Sequence, residues 1–403
     1  MARRETRGGT WVLQPSGDRV FLPATLPPDP PIKLDQSLIR HLSEADQAIA
    51  RLDGMALILP NPDLFVAMYV RREAVNSSAI EGTQSTLQDV LTYELEPGKI
   101  GIPEDVEEVV NYVRAMNYGL ARIETLPLSL RLIREIHQQL MEGVRGGTRA
   151  PGEFRTTQNW IGPANAGIAN ATFVPPPVPQ MHERLSNLEM FLHDEHTYPA
   201  LVHAAIAHAQ FETIHPFLDG NGRVGRLLIT LLLVQQGVLS RPLLYLSHYL
   251  KMHRGEYYDR LTGIREDDNW EAWIRFFLRG VIDTSIEASR VSRAILVLKE
   301  EHSRISGFGI NEIRLIDYLF QHPVTTIAGV QAALGNVTHP TASKTVSKLE
   351  SSGLLVEMTG KRRDRVFKYA PYIDIFNDQP GYHEDIERLV TISESEAQYD
   401  AND

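Results

Sequence analysis

Twelve consecutive residues, His215-Pro216-Phe217-Leu218-Asp219-Gly220-Asn221-Gly222-Arg223-Val224-Gly225-Arg226, constrain this chain more than any other stretch. An apolar run, Leu227 to Val234, follows directly and predicts a buried helix. A turn that opens a helix attracts anions, because the first backbone N–H groups lack partners and the helix dipole is positive there. Gly220 and Gly222 remove side chains, so a phosphate can approach the backbone. Arg223 and Arg226 are three apart and share a helical face. Guanidinium groups suit forked phosphate contacts. Asp219 is a hard oxygen ligand suited to a Mg²⁺ that travels with a nucleotide. His215 can accept a proton near neutral pH. A glycine-rich loop before a core helix explains the glycines alone, but leaves the base, the acid and both arginines without a role.

Two further stretches carry signals. In Asn76-Ser77-Ser78-Ala79-Ile80-Glu81-Gly82, Ser77 and Glu81 are four apart and lie on one helical face, and Gly82 suits the helix end. Residues 151–162 place a glycine, an aromatic, Arg155 and a short strand before Ala171-Thr172-Phe173-Val174-Pro175-Pro176-Pro177.

The central stretch matches H-P-F-x-D-G-N-G-R-x-x-R at every fixed position, and so resembles the signature of the Fic (filamentation induced by cAMP) family. The resemblance extends over most of residues 35–300. It implies transfer of AMP from ATP to a Tyr, Thr or Ser hydroxyl of a target protein, with ATP and Mg²⁺ in the site. His215 is then the catalytic base and Asp219 the metal ligand. Gly220, Asn221, Gly222, Arg223, Val224, Gly225 and Arg226 hold the nucleotide. Ser77, Glu81 and Gly82 resemble the family's inhibitory motif, [S/T]-x-x-x-E-[G/N], which implies that Glu81 reaches the nucleotide site and pairs with Arg226. The charge logic agrees, since a carboxylate there removes a phosphate partner and repels an anion. Thr172, Phe173 and Val174 resemble the flap that aligns a target's backbone, a task suited to a strand edge. A plain hairpin is the other reading. Tyr257 and Tyr258 resemble the adenine-contacting position, with core packing as the alternative.

The predicted fold class is mainly α: a Fic-type helical bundle with a short β-hairpin flap, plus a C-terminal winged-helix domain. Residues 1–34, rich in proline, predict an extended N-terminal arm. Residues 35–125 predict an N-terminal helical region with the inhibitory helix, and 126–302 the catalytic core. Apolar spacing gives helices from Asp35, from Pro62 towards Ala79, over Pro103–Ala121, Ser129–Met141, 180–196 and Pro199–Thr213. Ser247–Arg260 and a long helix from Trp270 follow. His208, seven residues before His215, is assigned to packing, and His193, Asp194, Glu195 and His196 to a solvated helix end rather than a metal site.

Residues 310–372 predict three helices and a two-stranded wing, with eight basic against five acidic side chains. Lys344 and Lys348 share a face of the third helix, so DNA is one partner and a second copy of the chain another. Residues 373–403 form an acidic tail, with a helix at His383–Thr391. The net charge of −11 argues against general polyanion binding, and the absence of cysteine excludes disulfides and thiol chemistry. The basic N-terminus lacks an apolar core and no run is long enough for a membrane, so a cytoplasmic, non-membrane protein is expected. Two rival functions remain. One is a DNA-binding regulator that uses the Fic-like domain as a nucleotide sensor. The other is transfer or removal of another phosphate-linked group, including removal of AMP.

Overall fold

The computed structural model describes residues 6–58, 62–95, 102–143, 150–163, 167–194 and 196–376. The chain opens with two strands, β1 (Gly9–Leu13) and β2 (Arg19–Pro23). Helices α1 (Gln36–Ile58), α2 (Pro62–Ile80), α3 (Leu87–Leu95), α4 (Val106–Ile123) and α5 (Leu130–Met141) follow. Next come α6 (Val178–Leu192), α7 (Ala200–Ile214) and α8 (Asn221–Gln235). Then α9 (Ser247–Met252), α10 (Arg254–Asp267) and the long α11 (Trp270–Ser303). The C-terminal elements are α12 (Ile310–Gln321), β3 (Val324–Thr326), α13 (Ile327–Ala333), α14 (His339–Ser351), β4 (Leu355–Glu357), β5 (Val366–Tyr369) and α15 (Ala370–Asp374). The mainly α expectation is met.

The described chain divides into two compact units. The first comprises residues up to Asp53, 73–85 and 104–285. Its centre is the packed pair α7 and α8. Along α7 nearly every residue from Leu201 to Ile214 is buried, and α8 buries Val224, Leu227, Leu231 and Leu233. A helix apolar on all sides belongs in the middle of a core, with other helices around it. Helices α4 and α5 pack on each other and on α8, and Gly119 of α4 admits Leu231 and Ile136 closely enough that a Cβ would clash.

The second unit comprises 54–72, 86–103 and the residues from Ile286 onward. Its three-stranded antiparallel sheet has the order β3-β5-β4. Helices α12, α13 and α14 pack together beside it, and α3 packs on β3.

Several local readings change. The arm expected to be extended folds over 9–23 as a hairpin, with Trp11 opposite Phe21. The single helix expected over Ser247–Arg260 breaks at His253, whose φ/ψ of −109°/33° is not helical. The expected flap hairpin reduces to one antiparallel bridge, Ile161 to Phe173. The helix expected at His383–Thr391 and most of the acidic tail lie outside the described residues, as does Glu195.

Candidate active site

The turn between α7 and α8 is built by backbone capture. His215 ends α7 in the left-handed region, at φ 49°. Gly220 precedes α8 at φ 76°, a conformation that favours glycine. Between them, the Asn221 side chain closes the loop on itself. It accepts from the Phe217 N–H at 2.8 Å and donates to the Phe217 carbonyl at 2.9 Å. Buried Arg155 donates to the His215 carbonyl at 3.0 Å and to the Pro176 carbonyl at 2.5 Å. Asn159 donates to the carbonyls of His215 and Phe217. His137 stacks on Phe217 with ring centroids 3.7 Å apart. Its Nδ1 accepts from the Gly152 N–H, which leaves Nε2 to carry the proton and donate to the Asp219 carbonyl at 3.1 Å.

This turn opens into a cleft of about 670 Å³. Of the residues singled out in the sequence, His215, Asp219, Gly222, Arg226, Glu81, Thr172, Phe173, Tyr257 and Tyr258 line it together. Burial holds the His215 imidazole down at about 4, so the ring is neutral around pH 7. Its Nδ1 faces the Glu212 carbonyl at 3.4 Å, which places the proton on Nδ1 and leaves Nε2 with its lone pair.

Arg226 is held from one side by α2 and its end. Its Nε donates to Ser77 Oγ at 2.8 Å, and Nη2 donates to the Ser77 carbonyl at 2.9 Å and to Glu81 Oε1 at 2.7 Å. Burial alone would oppose ionisation of Glu81. The charge and hydrogen bond of Arg226 outweigh it and, with Arg223, hold the carboxyl below its usual value. The same Glu81 carboxylate keeps the buried Arg226 firmly protonated. Gly222 lies directly beneath this pair, and a Cβ there would strike Glu81 Oε1. Gly82 ends the segment at φ 108°.

Other sequence candidates lie outside the cleft lining. Arg223 is buried on α8 and pairs with Glu108 of α4 at 2.9 Å, with Asp219 at 3.7 Å. Val224 is fully buried in the core. The Gly225 carbonyl accepts from His208 Nδ1 at 2.9 Å. Val174 is buried, and its carbonyl accepts from the Phe21 N–H at 2.9 Å. Tyr257 is 1% exposed, and its hydroxyl meets His208 Nε2 at 2.9 Å, so its body is core and only an edge borders the cleft. Tyr258 is 39% exposed, with the Arg254 guanidinium 5.4 Å from its ring centre.

Residues that sequence reasoning missed also shape the site. Glu212 lines the cleft with Oε1 out of solvent and without a hydrogen-bond partner among the described residues, and burial pushes its carboxyl up to about 7. Its place three residues before His215 was the available signal. Arg265 lies 3.9 Å from the Phe173 ring centre, and burial lowers it to about 10. Glu108 gave no local signal, because an acidic pair in a helix's first turn reads as a solvated dipole partner.

A divalent ion can be tested against these residues. Among the described residues no group of three His, Asp or Glu could hold one. Asp219 offers one carboxylate at the cleft, one oxygen of which accepts from the Gly220 N–H at 2.7 Å. One hard ligand fits a Mg²⁺ that brings phosphate oxygens and waters as its remaining shell.

Two known families match the chain: "Fic/DOC family N-terminal" over residues 39–121 and "Fic/DOC family" over residues 127–233. The protein adenylyltransferase Fic of Culex quinquefasciatus is 34% identical over 262 residues, covering 62% of this chain and 46% of that protein. The protein of that name from Drosophila erecta is 29% identical over 217 residues, covering 52% of this chain and 39% of its own length. The chain thus spans less than half of these curated relatives. Two solved structures share the fold. A Fic family protein from Desulfovibrio desulfuricans G20 has TM-score 0.55 and 20% identity, covering 84% of this chain and 98% of that one. A Fic domain containing signaling protein from Bacteroides thetaiotaomicron has TM-score 0.50 and 18% identity, covering 62% and 97%. Residues 39–121 therefore match a Fic/DOC N-terminal region and residues 127–233 a Fic/DOC domain, and the chain shares the fold of these solved structures.

Proposed function

We propose that this protein transfers AMP from ATP to a hydroxyl of a protein target, and that Glu81 restrains it. The observation that carries the reading is the juxtaposition of neutral His215, Asp219, Gly222 and Arg226 in one cleft at the N-terminus of α8. First-turn N–H groups of α8 hold phosphate oxygens, and Arg226 neutralises the phosphates that leave. Mg²⁺ on Asp219 supplies further neutralisation of those oxygens when bound. His215 Nε2 takes the proton of a Tyr, Thr or Ser hydroxyl as its oxygen bonds to the α-phosphorus. The α–β phosphoanhydride bond breaks and pyrophosphate leaves. Positioning and charge stabilisation dominate such chemistry, so the pinned loop around Phe217 does much of the catalytic work. Thr172 and Phe173 act as the flap, and Tyr258 offers the base a flat, accessible face.

Glu81 occupies the guanidinium that a terminal phosphate needs, so the resting protein is silent. Arg223, paired with Glu108, serves the phosphates only where that pair opens.

The test is ATP labelled at the α-phosphorus, given to the Glu81→Gly protein. Label on protein is expected, and His215→Ala in the same background should abolish it. Equal labelling with and without His215 overturns the base assignment.

Residues 310–372 we read as a winged helix, with β4 and β5 as the wing. Lys361, Arg362 and Arg363 at its tip are exposed. Lys348, however, donates to the Gly307 carbonyl and lies 3.7 Å from Glu312, so the third helix presents less free charge than its sequence suggested. DNA binding therefore ranks behind protein contact, including contact with a second copy.

A further inference from the structure

The N-terminal hairpin lies outside both matched regions, which begin at residue 39. It is nevertheless docked firmly in the first unit. Arg7 pairs with Asp268 at 3.0 Å and with Glu271 at 2.8 Å, and this contact holds Glu271 at about 2 despite its burial. The Gly8 N–H donates to Asp268 Oδ1 at 3.1 Å, and Gly8 sits so close to the Ile264 carbonyl that a Cβ would clash. At the other end, Arg184 donates to the Pro23 carbonyl at 2.6 Å and Gln210 to the Ala24 carbonyl at 2.8 Å.

Between these anchors the hairpin meets the flap. The Phe21 N–H donates to the Val174 carbonyl at 2.9 Å. Trp11 stands edge-on to Phe21 at 5.2 Å and to Phe173 at 6.1 Å, and Phe21 lies 6.3 Å from Phe173. The Arg265 guanidinium also lies over the Phe173 ring, 3.9 Å from its centre. Phe173 is also the flap residue bridged to Ile161, through hydrogen bonds of 2.8 and 3.0 Å.

One bridge does not hold a two-stranded flap in water. Even complete isolated hairpins are marginal, because ordering each backbone residue costs conformational entropy. The hairpin adds one main-chain hydrogen bond, at Val174, and two aromatic contacts at the neighbouring bridged residue, Phe173. From this geometry we infer that residues 9–23 are a positioning element for the flap, with Trp11 and Phe21 fixing Phe173 and thereby the edge against which a protein target aligns. The flap's role rests on the function proposed above; its dependence on the hairpin does not.

The experiment uses the full-length Glu81→Gly protein, alone and with Trp11→Ala or Phe21→Leu added. Amide exchange is followed at residues 160–163 and 171–174, and labelling from α-labelled ATP is followed at saturating nucleotide. Exchange at those flap residues should rise at least about tenfold in both variants, and the labelling rate should fall about tenfold. Trp11→Phe, which keeps an aromatic edge beside Phe173, should restore most of the protection. Unchanged flap exchange, while residues 9–23 themselves exchange faster, overturns the inference. Faster flap exchange without loss of labelling overturns its link to target alignment. If the parent Glu81→Gly protein labels nothing, the functional reading fails, and the exchange data still decide whether the hairpin holds the flap.

Discussion

Replacing Glu81 perturbs nucleotide binding and stability in opposite directions. In the resting protein Arg226 makes three hydrogen bonds, two to Ser77 and one to Glu81. Losing Glu81 removes one bond and one charge but leaves the guanidinium aimed by Ser77. Opposite charges about 4 Å apart at an effective dielectric of about 20 attract by about 4 kcal/mol. The Glu81 side chain is 37% exposed, so solvent screening reduces this to about 1–3 kcal/mol. A phosphate that must displace Glu81 forfeits that amount. Glu81→Gly should therefore tighten ATP binding by about 5- to 140-fold, at 1.4 kcal/mol per factor of ten. Glu81→Gln keeps an acceptor without the charge and should fall between. Without nucleotide, the same variants leave a buried Arg226 short of its counter-charge, so the free protein should melt earlier and gain more from ATP than wild type does. Calorimetric titration with ATP and Mg²⁺ measures the first effect, and thermal melting with and without ATP the second. ATP affinity within twofold of wild type in both variants, with the fold intact, refutes the argument. Because pairing lowers the Glu81 carboxyl, the latch is at full strength above the ordinary carboxylate range and is lost only as pH falls through the lowered value. Acidification to pH 6 should not open it.

Two predictions concern the rest of the core. Glu108→Ala leaves Arg223, 4% exposed, with Asp219 at 3.7 Å as its nearest carboxylate among the described residues, and should cost about 2–4 kcal/mol in urea unfolding; a loss below about 0.5 kcal/mol would show the pair to be idle. Burial lowers His137, His208, His215 and His302 to about 4, so between pH 6.5 and 4 the unfolded chain binds protons that the native state excludes. Glu212, raised to about 7, and Glu73, also raised by burial, act in the opposite sense. Four groups against two leave a net loss of stability on acidification, and a melting temperature that stays flat from pH 6.5 to 4.5 would contradict it.

Much of the site was legible because it is local. Gly220 and Asn221 shape the turn through neighbours within one turn of helix, and the spacing of the glycines and arginines in residues 215–226 alone predicts an anion-binding helix start. The helices were legible for the same reason: periodic burial needs only residues three and four apart. Ser77 and Glu81 share a face by spacing, but their meeting with Arg226 came from family resemblance and not from any local rule. Where local rules competed, the sequence misled. Tyr257 and Tyr258 looked equivalent, yet the helical turn sends one hydroxyl to buried His208 and leaves the other at the cleft. The smooth helical pattern over Ser247–Arg260 hid a break at His253, since propensity yields to packing.

Sequence by itself determined which residues could do phosphate chemistry, because that depends on functional groups and short spacing. Tertiary structure alone decided which of them are already engaged. Arg223 is joined to Glu108 across 115 positions, and Trp11 reaches Phe173 from the far end of the chain. Such pairs depend on how whole helices and hairpins pack to bury apolar surface, and no run of neighbouring residues encodes them.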